Sequence, residues 1–309
     1  MPKYLYKWLE NSCLMKFIKE IYEKKYQYLI IIPFIILILA FAQIIAQYSI
    51  TGDFVNKGIS LKGGSTITLN QDMSLEEQVE LENNLKSKFP LAEISIRELS
   101  SAGKTIGIAI DSDAQSNEEI NALSSEIESF TGLSESDYSI EVMGSSLGES
   151  FFKQTKWVLL IALMLMGIVV FIYFRKVVPG LAIILAAVSD MVVTLAIFNL
   201  TGMKLGSSGI AAFLMLIGYS VDTNILLSSR LIKKKEGTIT ERTYSALKTG
   251  LTMSCTTLAV VFIAFMFVQS ETVKQIMIIL LIGLLVDLVM TWIQNAGILR
   301  YYLERKKKE

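Results

Sequence analysis

The sequence predicts a multi-span α-helical membrane protein that carries one α+β domain between its first two spans. Apolar residues make up 52% of the 309 residues, and the mean hydropathy of +0.49 is far above that of a typical soluble domain. The apolar residues are concentrated in six blocks, each long enough to cross a bilayer as a helix. One long stretch between the first two blocks is polar, and its apolar residues recur at the spacings of strands and amphipathic helices.

The six apolar blocks divide the chain into five regions. A basic segment at 1–27 precedes the first span at 28–47, and a soluble domain follows at 48–152. Five further spans form a bundle at 153–300, and a basic tail follows at 301–309. The apolar blocks of the bundle allow each span some tilt, and they lie at about 155–174, 178–200, 209–229, 250–268 and 273–298.

The polar stretch predicts six elements in a fixed order. Alternating residues around Ile67 predict a strand, and a capping box at 74–77 opens a helix with three apolar residues on one face: Leu75, Val79 and Leu85. Two more alternating segments, at 94–97 and 106–110, predict strands joined by a turn. A second capping box at 116–119 opens a helix with four inward residues: Ile120, Leu123, Ile127 and Phe130. With a last strand after it, this order predicts a ferredoxin-like domain.

The distribution of basic residues predicts the orientation of the chain in the membrane. The net charge is zero, but lysine and arginine collect near both termini and in the loops after the second and fourth spans. Six spans bring all these segments to one side, which the positive-inside rule identifies as cytoplasmic. We therefore predict a multi-pass protein of the cytoplasmic membrane with both termini inside. The acid-rich domain at 48–152 is then extracytoplasmic.

The composition also excludes several classes of chemistry. The chain has no histidine, which removes the Ser-His-Asp arrangement and most histidine-based metal sites. Its two cysteines, Cys13 and Cys255, lie far apart and outside the soluble domain. No P-loop, dinucleotide fingerprint or nucleophile motif is present. We therefore expect no enzyme activity, no cofactor, no metal site and no nucleic-acid partner.

Three acidic residues fall near the middle of predicted spans: Asp190 in the third, Asp222 in the fourth and Asp287 in the sixth. A carboxylate at that depth costs at least about 2.5–3.5 kcal/mol, so it usually faces the protein interior and serves a function. Thr223 and Asn224 add polar groups beside Asp222. Polar contacts between helices explain one such acid easily but three at similar depth poorly. The pattern predicts a membrane machine that binds and releases ions, with Asp222 as the central residue.

Several motifs resemble those of a known family. After the first span the chain has the pattern Gly-x-Ser-x-x-Gly-Gly at Gly58, Ser60, Gly63 and Gly64. Further motifs in the spans lie at 187–194, 210–222, 249–258 and 287–297. Together they resemble the SecD/SecF family of protein-export subunits, and within it the archaeal-type SecF proteins. That family usually has Asp at the position of Ser60.

The resemblance implies one half of an RND-type transporter, which pairs with SecD in a twelve-span assembly. Its implied role is to assist export of a translocating polypeptide through a SecY/SecE-type channel, using a proton or sodium gradient, with membrane lipid around it. The ion-coupling role of the fourth span carries over to Asp222, with Asp190 and Asp287 as partner acids. Lys248 stands beside Thr249, where the family has an arginine. The alternatives are a SecD-like or other RND-type half, and a non-transporting scaffold of the Sec channel.

Overall fold

Six long apolar helices dominate the computed structural model, which describes residues 26–71, 73–101, 104–233, 236–268 and 270–306. Most of the predicted basic segment at 1–27, with Cys13, lies outside these ranges, as do the last three residues of the tail. The six helices are long and apolar enough to cross a membrane, and we number them spans 1 to 6: Tyr26–Thr51, Ser145–Phe174, Val177–Leu200, Ser207–Ile232, Ile239–Phe267 and Thr272–Lys306. The predicted number of membrane helices is confirmed.

Spans 3, 4 and 6 form the centre of the bundle. In the most apolar 18-residue stretch of each span, the buried share of residues is 56% for span 3 and 50% for spans 4 and 6. The same share is only 11% for span 1, 22% for span 2 and 17% for span 5. Span 6 is irregular, because a π-helical turn at Met290–Asn295 separates the α-helices Glu271–Val289 and Ala296–Lys306. The central helices are therefore the ones that can bring polar side chains together away from lipid.

A four-stranded antiparallel sheet lies between spans 1 and 2. Its strands have the spatial order β2-β3-β1-β4 and are β1 (Gly64–Leu69), β2 (Ser95–Ser101), β3 (Lys104–Ser112) and β4 (Tyr138–Met143). A short helix precedes β1, and two longer helices follow β1 and β3: α1 (Ile59–Lys62), α2 (Leu75–Lys88) and α3 (Asn117–Thr131). The order of strands and longer helices is the one that the sequence predicts.

Both predicted capping boxes are present. In α2 the Glu77 N–H donates to Ser74 Oγ (3.3 Å), while the Ser74 N–H donates to Glu77 Oε2 (2.8 Å). In α3 the Glu119 N–H donates to Ser116 Oγ (3.2 Å), and the Ser116 N–H donates to Glu119 Oε2 (3.2 Å). These backbone hydrogen bonds, which favour the ionised carboxyl, lower the pKa of Glu77 and of Glu119. Both helices therefore begin where the sequence places them.

The core of the sheet domain lies between one face of the sheet and helices α2 and α3. Its fully buried residues are Ile67, Leu69, Leu81, Leu85, Ile108, Ile110 and Ile127, with Leu123 almost as deep. Leu75 and Val79 are 72% and 57% exposed, so the interpretation that they share a core face with Leu85 is wrong. Gln78 of the same helix is buried, and its side-chain amide donates to the Met73 carbonyl (2.8 Å). The first turn of α2 thus presents apolar residues outward.

Gly63 and Gly64 allow three segments to approach closely. Their φ values are +91° and +131°, which residues with a side chain rarely adopt. A Cβ on Gly63 would collide with the backbone of Ser145, at the start of span 2, and one on Gly64 with the backbone of Ser112 in β3. The two glycines thus fix the sheet domain against the first turn of span 2.

Candidate functional site

A cluster of polar side chains is buried where spans 3, 4 and 6 meet. We call it the polar cluster; its members are fully buried and comprise Ser189, Asp190, Thr194, Ser220, Thr223, Asn224, Asp287, Thr291, Gln294 and Asn295. Each span contributes at least three residues. No basic side chain is among the buried residues of spans 3 and 4, and Arg300 is the only one in the described part of span 6. The cluster therefore holds two carboxyl groups among hydroxyls and amides.

Asp287 of span 6 is held by hydroxyl groups. Thr291, one turn further along the same span, donates to Asp287 Oδ1 (2.8 Å). The Thr223 hydroxyl of span 4 lies 3.1 Å from Oδ1 and 3.2 Å from Oδ2 of the same carboxyl group. Neutral hydroxyls solvate a carboxyl group without cancelling its charge. Asp287 thus joins spans 4 and 6 through hydroxyl contacts.

Asp190 of span 3 lies next to Asp287. The Ser220 hydroxyl of span 4 donates to Asp190 Oδ2, and Asp190 Oδ1 has no donor among the described residues. The two carboxyl groups are close enough to interact electrostatically. Two adjacent acids in a low-dielectric interior repel when both are ionised, and a proton or another cation between them removes that repulsion. The acid pair is therefore the part of the cluster best suited to bind a cation.

A set of amide contacts surrounds the acid pair. Asn224 Nδ2 donates to the Ser220 carbonyl (2.7 Å), and Asn295 Nδ2 donates to Asn224 Oδ1 (2.5 Å). On the other side, Gln294 Nε2 donates to Ser189 Oγ (3.2 Å). These contacts connect spans 4 and 6 and spans 3 and 6.

The π-helical turn of span 6 carries three members of the cluster: Thr291, Gln294 and Asn295. A π-helical turn is less stable than α-helix and is found frequently at functional sites. The sequence analysis included Gln294 in the motif at 287–297 but did not name it as a site residue, and it did not predict the π-helical turn. A further signal was the density of polar residues between Asp287 and Asn295.

Asp222 does not join the polar cluster. Its neighbours Thr223 and Asn224 are buried, but the Asp222 side chain is exposed on another face of span 4. The interpretation that Asp222 faces the interior of this chain is therefore wrong. Successive residues of a helix are about 100° apart, so a residue two positions from Ser220 points away from it. Lys248, on span 5, is exposed as well.

The exposed residues of span 4 form a stripe. Ala211, Met215, Gly218 and Asp222 recur at helical spacing, and all four are exposed. Gly218 has nothing within 4 Å of the position where a Cβ would lie. On span 5 the exposed face also includes hydroxyl groups, those of Thr252 and Thr256. Both hydroxyls donate to backbone carbonyls of span 5, Thr252 to Lys248 and Thr256 to Thr252, so lipid can cover them. The Asp222 carboxyl group is different, because a charge is costly in hydrocarbon.

The remaining motif residues lie at the sheet domain. Gly58 approaches the loop between spans 3 and 4, where a Cβ would come 3.1 Å from the Leu205 carbonyl oxygen. Gly63 and Gly64 stand at the start of β1, far along the chain from the acids. The sequence-predicted candidates thus fall into three places: Asp190, Asp287, Thr223 and Asn224 in the cluster, Asp222 and Lys248 on the bundle surface, and the glycines beside the sheet.

Comparison with known proteins places the chain among protein-export proteins. Residues 123–305 match the family described as protein export membrane protein SecD/SecF, C-terminal. The chain is 36% identical over 293 residues to the protein-export membrane protein SecF of Pyrococcus furiosus, covering 95% of each chain. It is 36% identical over 286 residues to the SecF protein of Methanothermobacter thermautotrophicus, covering 91% of this chain and 94% of that one.

Among solved structures, the chain resembles SecDF of Thermus thermophilus, described as a translocon-associated membrane protein. The TM-score is 0.71 at 19% identity, over 92% of this chain and 38% of that chain. A second SecDF structure, in a super-membrane-facing form, matches with a TM-score of 0.54 at 19% identity. The chain therefore has the fold of one part of SecDF and spans less than half of the SecDF chain.

Proposed function

Since the chain belongs to the SecD/SecF family of protein-export membrane proteins, we propose that it is a SecF-like subunit that assists polypeptide export through a SecY/SecE-type channel. The similarity to SecF proteins over nearly the whole chain supports this role most directly. The acid pair Asp190–Asp287 supports an ion-driven mechanism. One elementary charge crossing about 100 mV releases about 2.3 kcal/mol, enough to bias two conformations of similar stability.

In this mechanism the cation acts on the packing of three helices. Binding of a proton or a sodium ion at the acid pair removes the repulsion between Asp190 and Asp287. The hydroxyls of Ser220 and Thr223 then lose part of their attraction to the carboxyl groups, since charged acceptors bind donors more strongly. Because those hydroxyls belong to span 4, span 4 shifts relative to spans 3 and 6.

The proposed orientation follows from charge. Basic side chains concentrate at the ends of spans 2 and 4 and in the tail. At the end of span 4, Lys233 Nζ lies 3.3 Å from the centroid of the Tyr173 ring at the end of span 2. We place these ends and both termini in the cytoplasm by the positive-inside rule. The sheet domain, proposed as a ferredoxin-like unit at 48–152, is then extracytoplasmic, with the bundle at 153–300 embedded in lipid.

The stripe containing Asp222 is proposed as the face that binds SecD. A carboxylate exposed to hydrocarbon costs at least about 2.5–3.5 kcal/mol, so a protein surface beside Asp222 is strongly favoured over lipid. The match to only 38% of the SecDF chain is consistent with a second half of similar construction. At this face Asp222 is an ion-coupling candidate shared between two subunits.

Export itself is the test of this function. Inverted membrane vesicles from cells lacking this chain are compared with vesicles in which it has been restored, using an unfolded reporter protein. We expect the restored chain to raise the export rate several-fold, and collapse of the proton and sodium gradients to abolish the increase. A non-transporting scaffold predicts an increase that persists after both gradients are collapsed, and that result would contradict the ion-driven role.

A further inference from the structure

The segment 204–209 comprises the end of the loop between spans 3 and 4 and the first residues of span 4, and it lies between the sheet domain and the membrane helices. Its backbone pairs with the segment that leads into the sheet domain. The Leu205 N–H donates to the Asn56 carbonyl (2.6 Å), and the Gly58 N–H donates to the Leu205 carbonyl (2.8 Å). The span 3–span 4 connection is therefore attached to the sheet domain by backbone hydrogen bonds, which do not depend on side-chain rotamers.

The first turn of span 4 is capped by side chains from elsewhere in the chain. A helix N-terminus leaves backbone N–H groups without partners, and its own N-cap side chain usually accepts one of them. Here the N-cap residue is Gly206, which has no side chain. Gln275 Oε1 of span 6 lies 3.0 Å from the Gly206 N–H nitrogen and 3.2 Å from that of Gly209. Ser60 Oγ accepts from the Ser207 N–H (2.9 Å).

The side-chain amide of Gln275 also contacts the loop before span 4 through its nitrogen atom. Gln275 Nε2 donates to the Lys204 carbonyl (2.7 Å), and the Ser208 hydroxyl donates to Gln275 Oε1 (2.8 Å). One amide of span 6 thus contacts both ends of the segment 204–209. A shorter or apolar side chain at this position reaches neither set of groups.

Lys204 connects the segment to the sheet. Its Nζ donates to Ser95 Oγ in β2 (2.6 Å) and lies 3.7 Å from Asp111 Oδ2 in β3. Asp111 is only 4% exposed and also accepts from Thr66 Oγ1 (3.0 Å) and Arg97 Nε (3.1 Å). Lys204 therefore lies beside a carboxyl group that accepts hydrogen bonds from strands β1 and β2. The segment is held on one side by the sheet and on the other by span 6.

We propose that Gln275 is a positioning residue that couples the polar cluster to the sheet domain. The inference rests on the proposed function, because it supplies the connection that an ion-driven movement of span 4 requires. Gln275 lies twelve residues before Asp287, and Ser207 lies thirteen residues before Ser220. At about 1.5 Å per residue, each of these two helical segments is about 18–20 Å long. Spans 4 and 6 therefore connect the polar cluster to this turn over similar lengths. Residues 207–209 are the first turn of span 4, so the Gln275 contacts set how a shift of span 4 against span 6 moves residues 204–209 and the sheet domain attached to them.

Hydrogen exchange in the full-length chain, purified with SecD in lipid nanodiscs, tests the coupling. Exchange is followed at 56–60 and 204–209 with and without the substitution Asp287→Asn, which perturbs the cluster. In the unsubstituted chain we expect Asp287→Asn to change exchange at both segments by a factor of about three or more. In Gln275→Leu we expect amides 206–209 to exchange about fivefold faster, the effect of losing one typical cap. The effect of Asp287→Asn at 56–60 is then clearly smaller than in the unsubstituted chain, because only the direct contacts of Leu205 and Ser207 with this segment remain.

Two further variants separate coupling from folding. Gln275→Glu keeps an acceptor for the span 4 N–H groups and is expected to preserve the response to Asp287→Asn. Gln275→Met keeps the length of the side chain without its polar atoms, and replaces Gln275→Leu if that variant does not fold. An equal response to Asp287→Asn in the unsubstituted chain and in Gln275→Leu or Gln275→Met, or no response in the unsubstituted chain, contradicts the proposal. The export assay does not enter this readout, so the proposed function and the coupling can fail independently.

Discussion

At the scale of single residues, the polar cluster is defined by how two acids are solvated. Asp287 is bound by the hydroxyls of Thr223 and Thr291, and Asp190 by the hydroxyl of Ser220. Hydroxyl groups stabilise a carboxyl group in either protonation state, because they can donate or accept. An arginine or lysine in the same place would hold the carboxylate permanently ionised. The residue types in the cluster therefore favour a site whose charge changes.

Substitutions at Asp287 separate hydrogen bonding from charge. Asp287→Asn keeps an acceptor for Thr223 and Thr291 and removes the repulsion with Asp190, so we expect an unchanged or slightly higher unfolding temperature. Asp287→Leu removes the carboxyl acceptor of the buried Thr291 hydroxyl, at a cost of about 1–3 kcal/mol, while the Thr223 hydroxyl keeps the Ser220 carbonyl as a partner. We therefore expect a clear fall in the unfolding temperature of the detergent-solubilised protein. Asp222→Leu, at an exposed position, is the matched control and is expected to be stable. An equal fall for Asp287→Asn and Asp287→Leu would contradict the hydrogen-bonding account.

At the scale of elements, the sequence predicted the sheet domain better than the membrane helices. In the sheet domain, water lies on one side of each element, so Ile67 and Ile110 had to face inward and the capping boxes at Ser74 and Ser116 marked two helix starts. In a membrane, lipid is as apolar as the protein interior, and an apolar pattern does not show which face of a span is buried. That is why the buried and exposed faces of span 4 could not be distinguished, and Asp222 was placed on the wrong one.

Two features of the site were beyond prediction from the sequence for a related reason. In the π-helical turn of span 6, Gln294 and Asn295 form hydrogen bonds with residues more than 70 positions away, which no local pattern reveals. The cap of span 4 is supplied by Gln275, 66 residues after Gly209. Local signals identify a helix start only when the capping residue belongs to the same segment, as at Ser74 and Ser116.

The capping box of α3 makes stability depend on pH in a defined direction. Backbone and side-chain hydrogen bonds lower the pKa of Glu119 below its ordinary value of 4.5. A carboxyl group with a lowered pKa in the folded state stabilises the fold above its unfolded pKa, and this contribution is lost as pH falls through the folded value. We expect Glu119→Gln to lower stability at pH 7 and to flatten its decline below about pH 4.5. Thermal unfolding of the full chain between pH 3 and pH 7 measures both.

Glu118→Gln serves as the control for this prediction. Glu118 is the preceding residue of α3 and is not part of the capping box. We expect its substitution to leave the pH profile unchanged. A profile that shifts equally for both variants would show that the general acidity of the domain, and not the cap, sets the pH dependence.

At the scale of the whole molecule, the exposed face with Asp222 indicates that the six spans are one half of a larger assembly. At 31–46 of span 1 and 157–172 of span 2 the exposed residues are apolar, including Ile38, Leu39, Met164 and Ile168, as expected for surfaces in contact with lipid. The stripe of Met215, Gly218 and Asp222 is different in kind, because it combines an open glycine with an acid. Small residues allow close helix contacts, so this stripe is the natural place for a partner helix.

Cross-linking tests the partner surface. In a variant with Cys13 and Cys255 replaced by Ser, a cysteine at Gly218 or Met215 is expected to cross-link to cysteines placed along the spans of SecD in native membranes. A cysteine at Met164 on span 2, which is 57% exposed, is the control and is expected to give no product. Cross-linking from Met164 and none from Gly218 would place SecD on the other side of the bundle.

The most direct test of the ion-coupling claim is the export rate of a reporter protein in cells carrying Asp287→Asn or Asp190→Asn. The level of each variant in the membrane and its association with SecD are measured in the same cells. We predict that export falls at least tenfold while abundance and association stay normal, because the acid pair can no longer bind and release a cation. Asp222→Asn, measured in parallel, shows whether the acid on the partner face is also required. Normal export with both Asp287→Asn and Asp190→Asn would contradict the account and leave the acid pair a structural contact between helices.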